Sequence, residues 1–459
     1  MAIATINPAT GETVKSFDEM SPADVEERLA RADAASKTYP LTSFAERAGW
    51  LHAAADILTG GRVGVATMMT MEMGKTLVSA LAEVDKCATA CHWFADNAER
   101  LLADDVIEDP SAVKATRAFV TYQPLGVVLA VMPWNFPMWQ AMRFAAPALM
   151  AGNVGLLKHA SNVPQTALYF EELFAKAGFP SGVFQTLLVG ASKVEDVLRD
   201  DRVDAATLTG SEPAGAAVAR VAGECIKPTV LELGGSDPFI VMPSADLEAA
   251  ARVATVARCQ NNGQSCIAAK RFIVHADVYD AFAERFVENM AAQVIGDPMD
   301  EKTIIGPVAL EQGRVDLVEL VADAVDKGAT VLCGGAAVDG PGWFYPPTIV
   351  ADITRDMRLF GEEAFGPVAG LYRVESIDEA IELANATEFG LGSNAWTTDA
   401  DEQARFIRDV EAGAVFINGM TASYSQLPFG GVKRSGYGRE LAEPGIKSFC
   451  NAKTVWVSS

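Results

Sequence analysis

Apolar and polar positions divide this chain into a helical opening followed by two stretches in which strands and helices alternate. From residue 116 to 122 the two kinds of position alternate, as in a half-exposed strand. After a break at Pro124-Leu125-Gly126 the run 127–131, Val-Val-Leu-Ala-Val, is apolar throughout. Such a run fits a strand covered on both faces, the situation inside a parallel sheet. Strand-like runs recur at 153–157, 183–189, 204–208 and 228–233, separated by helical patterns near 138–151, 164–178, 192–200 and 212–222. This alternation predicts a doubly wound α/β sheet, whose ligands sit beyond the carboxyl ends of the strands.

A second α/β alternation starts near 238, with helices near 246–258, 277–293, 310–328, 376–385 and 399–410. Its strands are expected near 271–274, 329–333, 368–373 and 413–417. The glycines of 429–438 mark a long turn region, and a last strand is expected at 453–457. That strand has no evident partner in its own chain, so its exposed edge is expected to pair with another subunit. At the other end, residues 1–20 read as short extended pieces around the Asn7-Pro8 and Thr10-Gly11 turns. Ser21-Pro22-Ala23-Asp24 and Ser43-Phe44-Ala45-Glu46 have the form of helix-starting capping boxes. A longer helix is expected over 77–102, and this helical opening carries no obvious chemistry.

Composition narrows the function classes. At roughly 150 residues per domain, 459 residues predict two or three domains with ample core. A formal net charge of −23 argues against nucleic acid or an anionic membrane as partner. The stretch Phe144 to Leu157 is too short, and too broken by Pro147, Gly152 and Asn153, to span a bilayer. There is no basic segment followed by an apolar run at the start, so no signal peptide is expected. Seven cysteines are too thinly spread for a disulfide framework, which points to a reducing cytoplasm. Cys87, Cys91 and His92 have a spacing that suggests metal ligation, but without further spaced ligands one packed helix face is the better account, and no metal is expected.

The residues with chemistry cluster at strand ends. Gln260-Asn261-Asn262-Gly263-Gln264-Ser265-Cys266 is a polar, glycine-containing turn ending in a cysteine, and its backbone N–H groups would stabilise a thiolate or an adjacent oxyanion. Cys266 is the candidate nucleophile. Glu232, between Leu231 and Leu233 and before two glycines, reads on its own as a solvated charge at a strand end; were it desolvated there, its pKa would rise towards neutrality. Strand 127–131 runs into Pro133-Trp134-Asn135-Phe136-Pro137, and 153–157 into Lys158-His159-Ala160-Ser161. Strand 204–208 ends in Thr209-Gly210-Ser211, where a helix start can receive phosphate although no Gly-x-Gly-x-x-Gly fingerprint is present.

In this order, Pro133-Trp134-Asn135-Phe136-Pro137, Leu231-Glu232-Leu233-Gly234-Gly235, Gly263-Gln264-Ser265-Cys266 and Glu363-Ala364-Phe365-Gly366-Pro367 resemble the motifs of the aldehyde dehydrogenase superfamily, over nearly the whole chain. Lys158-His159-Ala160-Ser161, Gly235-Ser236-Asp237-Pro238 and Lys433-Arg434-Ser435-Gly436-Tyr437-Gly438-Arg439-Glu440 are similar to its succinate-semialdehyde branch. The resemblance implies a Rossmann-like cofactor domain from 1–107 and 125–236, a catalytic domain at 237–431, and oligomerisation strands at 108–124 and 432–459. It also implies a homodimer or homotetramer.

The implied reaction oxidises an aldehyde to its acid through a thiohemiacetal and a thioester on Cys266, with Asn135 as oxyanion donor and Glu232 as base. For the cofactor, the resemblance implies Trp134, Lys158, His159, Ala160 and Ser161 around the adenosine ribose, and Gly210 and Ser211 at the pyrophosphate. Leu233, Glu363 and Phe365 are implied at the nicotinamide end, beside Asn135. Relatives that prefer NAD often carry glutamate where Ser161 stands, so the resemblance implies NADP, with NAD at lower preference. Ser161 as a helix cap is the competing account.

Arg143 and Ser423 match positions that hold a substrate carboxylate, whereas Gln260 stands where some relatives have a second arginine. A salt bridge within the protein is the alternative role for Arg143. A broad-specificity enzyme for uncharged or other aldehydes, and a non-catalytic binding protein of the same fold, are the rival readings. A cysteine hydrolase would need a histidine base, and none of His52, His92, His159 and His275 lies in a matching motif.

Overall fold

The computed structural model describes residues 3–458. Both capping boxes form: Ser21 with Asp24 starts the helix Pro22–Ser36, and Ser43 with Glu46 starts Phe44–Gly60. The long helix Leu77–Leu101 buries Ala80, Val84, Cys87, Cys91, Phe94, Ala98 and Leu101, a stripe at three- and four-residue spacing. Cys87 and Cys91 are therefore packed apolar positions, and His92 turns instead to His52.

The first sheet has six strands in the order Gly436–Tyr437, Thr229–Glu232, Ala205–Thr209, Val127–Met132, Val154–His159 and Phe184–Thr186. All pair in parallel except Gly436–Tyr437, which runs antiparallel along Thr229–Glu232. The chain order reverses between Val127–Met132 and Ala205–Thr209, and the crevice at such a switch point is where doubly wound sheets bind ligands. The second sheet has seven strands, in the order Thr330–Cys333, Thr348–Ala351, Val368–Val374, Arg271–His275, Pro238–Val241, Asn394–Trp396 and Phe416–Ile417. Only Thr330–Cys333 is antiparallel within it. The two sheets meet so that the carboxyl ends of the first face segments leading into the amino ends of the second.

The last strand is longer than expected and differently paired. Cys450–Val457 runs antiparallel along all eight residues of Arg117–Pro124, with Asp105–Val106 on the far side. Its partner lies in its own chain, because the alternating run at 116–122 has one edge to offer it; the outer edge of Cys450–Val457 is unpaired among the described residues. The strand expected at 413–417 shrinks to Phe416–Ile417. Pro238–Val241, Thr348–Ala351 and Asn394–Trp396 were not legible as strands, since three or four residues are too few to show a period.

Candidate active site

The segment before Cys266 is held in a conformation that most sequences avoid. Helix Leu247–Cys259 gives way to Asn261 and Asn262 with φ of 53° and 58°, then Gly263 at 75°. Left-handed φ costs little for asparagine and least for glycine. A Cβ on Gly263 would lie 2.3 Å from the carbonyl carbon of Gly366, so both dihedral and space require glycine. The asparagines anchor the turn from both sides. Asn261 Nδ2 donates to the Asn135 and Gln264 carbonyls, at 2.7 and 3.0 Å, and Asn262 Nδ2 donates to the Gly74 and Pro307 carbonyls. Behind the turn the buried Arg258 donates to the Gly263 carbonyl. Lys270 donates to the Ser265 and Cys266 carbonyls and forms an ion pair with Glu363 at 3.0 Å.

Cys266 stands between two cavities. One, of about 280 Å³, is lined by Trp134, Asn135, Gly210, Ser211, Leu233, Glu363 and Phe365 among others, and lies at the switch point of the six-stranded sheet. The other, of about 190 Å³, is lined by Lys86, Trp139, Arg143 and Ser423 with their neighbours. Cys266 lines both, the placement that a nucleophile serving a cofactor and a substrate would need. Burial pushes its thiol up to about 12, while Arg143 and Lys270 pull the other way.

Asn135 lines the larger cavity, and its Nδ2 donates to the Gln264 carbonyl at 3.2 Å, leaving its second N–H without a partner among the described residues. Glu232 is buried outside both linings, and neither of its carboxylate oxygens has a hydrogen-bond partner. Burial raises its pKa; Arg143 and Arg439 oppose the rise, and Glu440 adds to it. A Cβ on Gly430 would meet Glu232 Oε1 at 2.7 Å, so glycine there leaves the carboxyl its space.

Arg143 lies in the site but its charge is not free. Its Nε contacts Glu440 Oε2 as an ion pair, its guanidinium stacks 4.5 Å from the Phe429 centroid, and an Nη donates to Thr209 at 3.3 Å. Glu440 closes the motif that begins at Lys433, and its role was not evident from the sequence. The helical opening also reaches the chemistry, contrary to expectation. Glu83 and Lys86, three residues apart on Leu77–Leu101, both line the smaller cavity. Glu83 Oε1 accepts from the Met138 and Trp139 amides at the start of helix Pro137–Ala151, and its Oε2 pairs with the buried Lys75. A carboxylate inside an amphipathic helix looks like a solvated charge until the partner helix is in place.

The residues expected at the cofactor divide into groups. Trp134 meets Phe365 edge to face at 5.6 Å, and both Trp134 and Ala160 pack against the cluster of Met73, Val163 and Ala309. Gly215, where any Cβ would strike Leu233 at 2.5 Å, brings helix Glu212–Glu224 against that side chain. Lys158 borders a third cavity of about 230 Å³ between helices Val194–Arg199 and Glu212–Glu224. Burial lowers its pKa, with only Glu19 acting against this. His159 uses both ring nitrogens within the protein: Nε2 donates to the Pro137 carbonyl and Nδ1 accepts from the Ala160 amide, both at 2.9 Å. Burial drives its pKa down to about 4, so the ring is neutral. Ser161 does not cap a helix, because the N-cap of Pro164–Lys176 is Val163 and no side chain caps it.

A thiol shared by two cavities, one of them at the switch point of a doubly wound sheet, is the arrangement of an oxidoreductase of the aldehyde dehydrogenase kind. The chain matches the profile of the aldehyde dehydrogenase family over residues 1–455 and belongs to that family. It is 66% identical over 460 residues to the NADP(+) succinate-semialdehyde dehydrogenase of Mycolicibacterium paratuberculosis, covering 100% of this chain and 97% of that protein. It is 63% identical over 458 residues to NADP(+) succinate-semialdehyde dehydrogenase 1 of Mycobacterium tuberculosis, with 100% of each covered. Among solved structures it resembles, at a TM-score of 0.97 and 39% identity over 100% of both chains, the succinic semialdehyde dehydrogenase of Streptococcus pyogenes in complex with NADP+. No helix among the described residues is long and apolar enough to cross a membrane.

Proposed function

We propose that this chain oxidises succinate semialdehyde to succinate with NADP as the preferred electron acceptor. The observation that carries this reading is Cys266 standing between a cavity with the cofactor-type lining and a second cavity bearing cationic and hydroxyl groups. The likeness to NADP-dependent relatives over the full chain supports it.

The residues present fit the nicotinamide cofactor. Gly210 and Ser211 precede helix Glu212–Glu224, whose free N–H groups suit a pyrophosphate. Lys158 is a buried cation without an ion-pair partner among the described residues, and the Ser161 hydroxyl is free of capping duty. Both are suited to a ribose phosphate. Leu233, Glu363 and Phe365 would flank the nicotinamide, which when bound accepts the hydride that leaves the substrate carbon.

The protein's own part begins at Cys266. Its thiol gives its proton to water as Sγ bonds to the aldehyde carbon and the carbonyl π pair moves onto oxygen, giving a tetrahedral thiohemiacetal. The oxyanion that develops is met by the free N–H of Asn135 and the backbone N–H of Cys266, each such donor worth about 3 kcal/mol. After oxidation the carbon is held as a thioester on Sγ. Glu232 takes a proton from water, the hydroxide oxygen bonds to the acyl carbon, and the C–S bond breaks to return Cys266. The desolvation that raises Glu232 makes it a better proton acceptor than an exposed carboxylate.

We assign the six-stranded sheet with its helices to the cofactor domain and the seven-stranded sheet to the catalytic domain. The three-stranded sheet is assigned to assembly of a cytoplasmic homo-oligomer. An initial-rate panel tests the activity. Succinate semialdehyde should give a higher kcat/KM than butanal, and NADP a higher value than NAD. Equal rates for charged and uncharged aldehydes would favour the broad-specificity reading. Absence of cofactor reduction with every aldehyde would favour a binding protein.

A further inference from the structure

We propose that Lys86, together with the Ser423 hydroxyl it holds, is the receptor for the distal carboxylate of the aldehyde; this rests on the semialdehyde reading and specifies how that substrate is recognised. Three charged side chains line the 190 Å³ cavity: Glu83, Lys86 and Arg143. Two of them are already neutralised. Glu83 is paired with Lys75 and accepts two backbone amides, and Arg143 is paired with Glu440. Lys86 makes no ion pair among the described residues, so it alone gives the cavity wall an uncompensated charge. A substrate anion arriving at Arg143 must compete with a buried carboxylate already there, whereas at Lys86 it has no rival.

The hydrogen bonds around Lys86 have a fitting polarity. Lys86 Nζ donates to Ser423 Oγ at 2.8 Å, and Trp139 Nε1 donates to the same oxygen at 3.0 Å. With two donors aimed at its oxygen, the Ser423 hydroxyl has its own proton left to give. The ammonium likewise keeps two of its three donors. Nζ also lies 4.3 Å from the centroid of the Trp139 ring, so the aromatic face steadies the cation. The group presented to the cavity is thus an ammonium and an O–H held side by side by one indole, donors only, which matches a carboxylate and leaves a methyl group without a partner. Burial and the nearby Arg143 hold the Lys86 ammonium down to about 8, so it is charged at neutral pH but poorly compensated. A bound carboxylate supplies the missing compensation.

Lys86→Met keeps the apolar stem and removes the charge; Lys86→Arg restores the charge in another shape. For Lys86→Met, kcat/KM should fall roughly ten- to a hundredfold further for succinate semialdehyde than for butanal, mostly through KM. Inhibition by succinate should weaken by a similar factor, and Lys86→Arg should recover part of both. Butanal turnover by the variant reports that the site has folded, and direct calorimetric titration with succinate gives a readout should turnover be lost. If Lys86→Met keeps the wild-type ratio of the two aldehydes, or binds succinate as the wild type does, the Lys86 assignment falls while the substrate reading stands. A wild-type enzyme that does not prefer the semialdehyde overturns both.

Discussion

Cys266 rests as a neutral thiol. Burial raises its pKa well above that of an ordinary thiol, so the thiol form dominates at pH 7. Iodoacetamide should therefore alkylate Cys266 slowly at neutral pH, with a rate that climbs through pH 9 and 10 without levelling. A plateau below pH 8 would mean that a base or a positive charge already activates the thiol before ligands bind. Cys266→Ala should abolish oxidation. Glu232 titrates in the opposite sense: its pKa is raised, and it works as a base only when deprotonated. Turnover should fall as pH drops through that raised pKa, and Glu232→Gln should remove this acid limb. The same variant should show a burst of reduced cofactor followed by slow release, and rapid mixing would reveal it. Loss of the burst in proportion to the steady rate would speak against a deacylating base. At Ser161, which caps no helix, the proposed role is cofactor choice. Ser161→Glu places a carboxylate near a ribose phosphate, and kcat/KM should swing towards NAD by tenfold or more, about 1.4 kcal/mol for each factor of ten. An unchanged ratio would detach Ser161 from cofactor choice.

Helix Leu77–Leu101 and helix Pro137–Ala151 act as one unit because Glu83 joins them. Its carboxylate takes the Met138 and Trp139 amides at the opening of the second helix and neutralises Lys75, which is wholly buried. Glutamine in its place keeps an acceptor for the amides but leaves Lys75 charged in an apolar site. Breaking a buried pair from one side costs about 3–5 kcal/mol. Glu83→Gln should lower the denaturation midpoint accordingly, and Lys75→Met in the same chain should recover much of the loss. A single variant as stable as wild type would show that Lys75 sheds its proton instead of paying this penalty. Trp139 and Arg143 ride on the second helix, so the single variant should also raise KM for the semialdehyde.

Across the whole molecule, the unpaired outer edge of Cys450–Val457 is the feature that bears on assembly. Trp456 and Val457 on it are exposed, and an open strand edge with such residues invites a further chain. A chain ending at Phe449 keeps the contact between Phe449 and Phe144 in the core while losing the strand. Analytical ultracentrifugation should find it in a smaller assembly than the full chain. Identical sedimentation of both would move the interface elsewhere.

Much of this architecture could be read before any coordinates. The apolar run at 127–131, the helix at 77–102 and both capping boxes are local patterns, written in periods of two or 3.6 residues or in a four-residue signature. Cys266, Glu232 and Asn135 could be singled out as candidates because a nucleophile, a base and an oxyanion donor each need a particular functional group and, here, because of the motifs around them. What the sequence could not show was which charges meet. For Arg143 the sequence offers a substrate carboxylate or a salt bridge within the protein, and only folding shows that Glu440, nearly three hundred residues on, is its partner. Nothing along the helical opening singles out Lys86, which Trp139 and Ser423 reach only in the folded chain. The last strand reads as unpartnered until Arg117–Pro124 is laid beside it. Hydrophobic period is a property of neighbours along the chain, whereas charge compensation and strand pairing depend on neighbours in space, and those the tertiary structure alone decided.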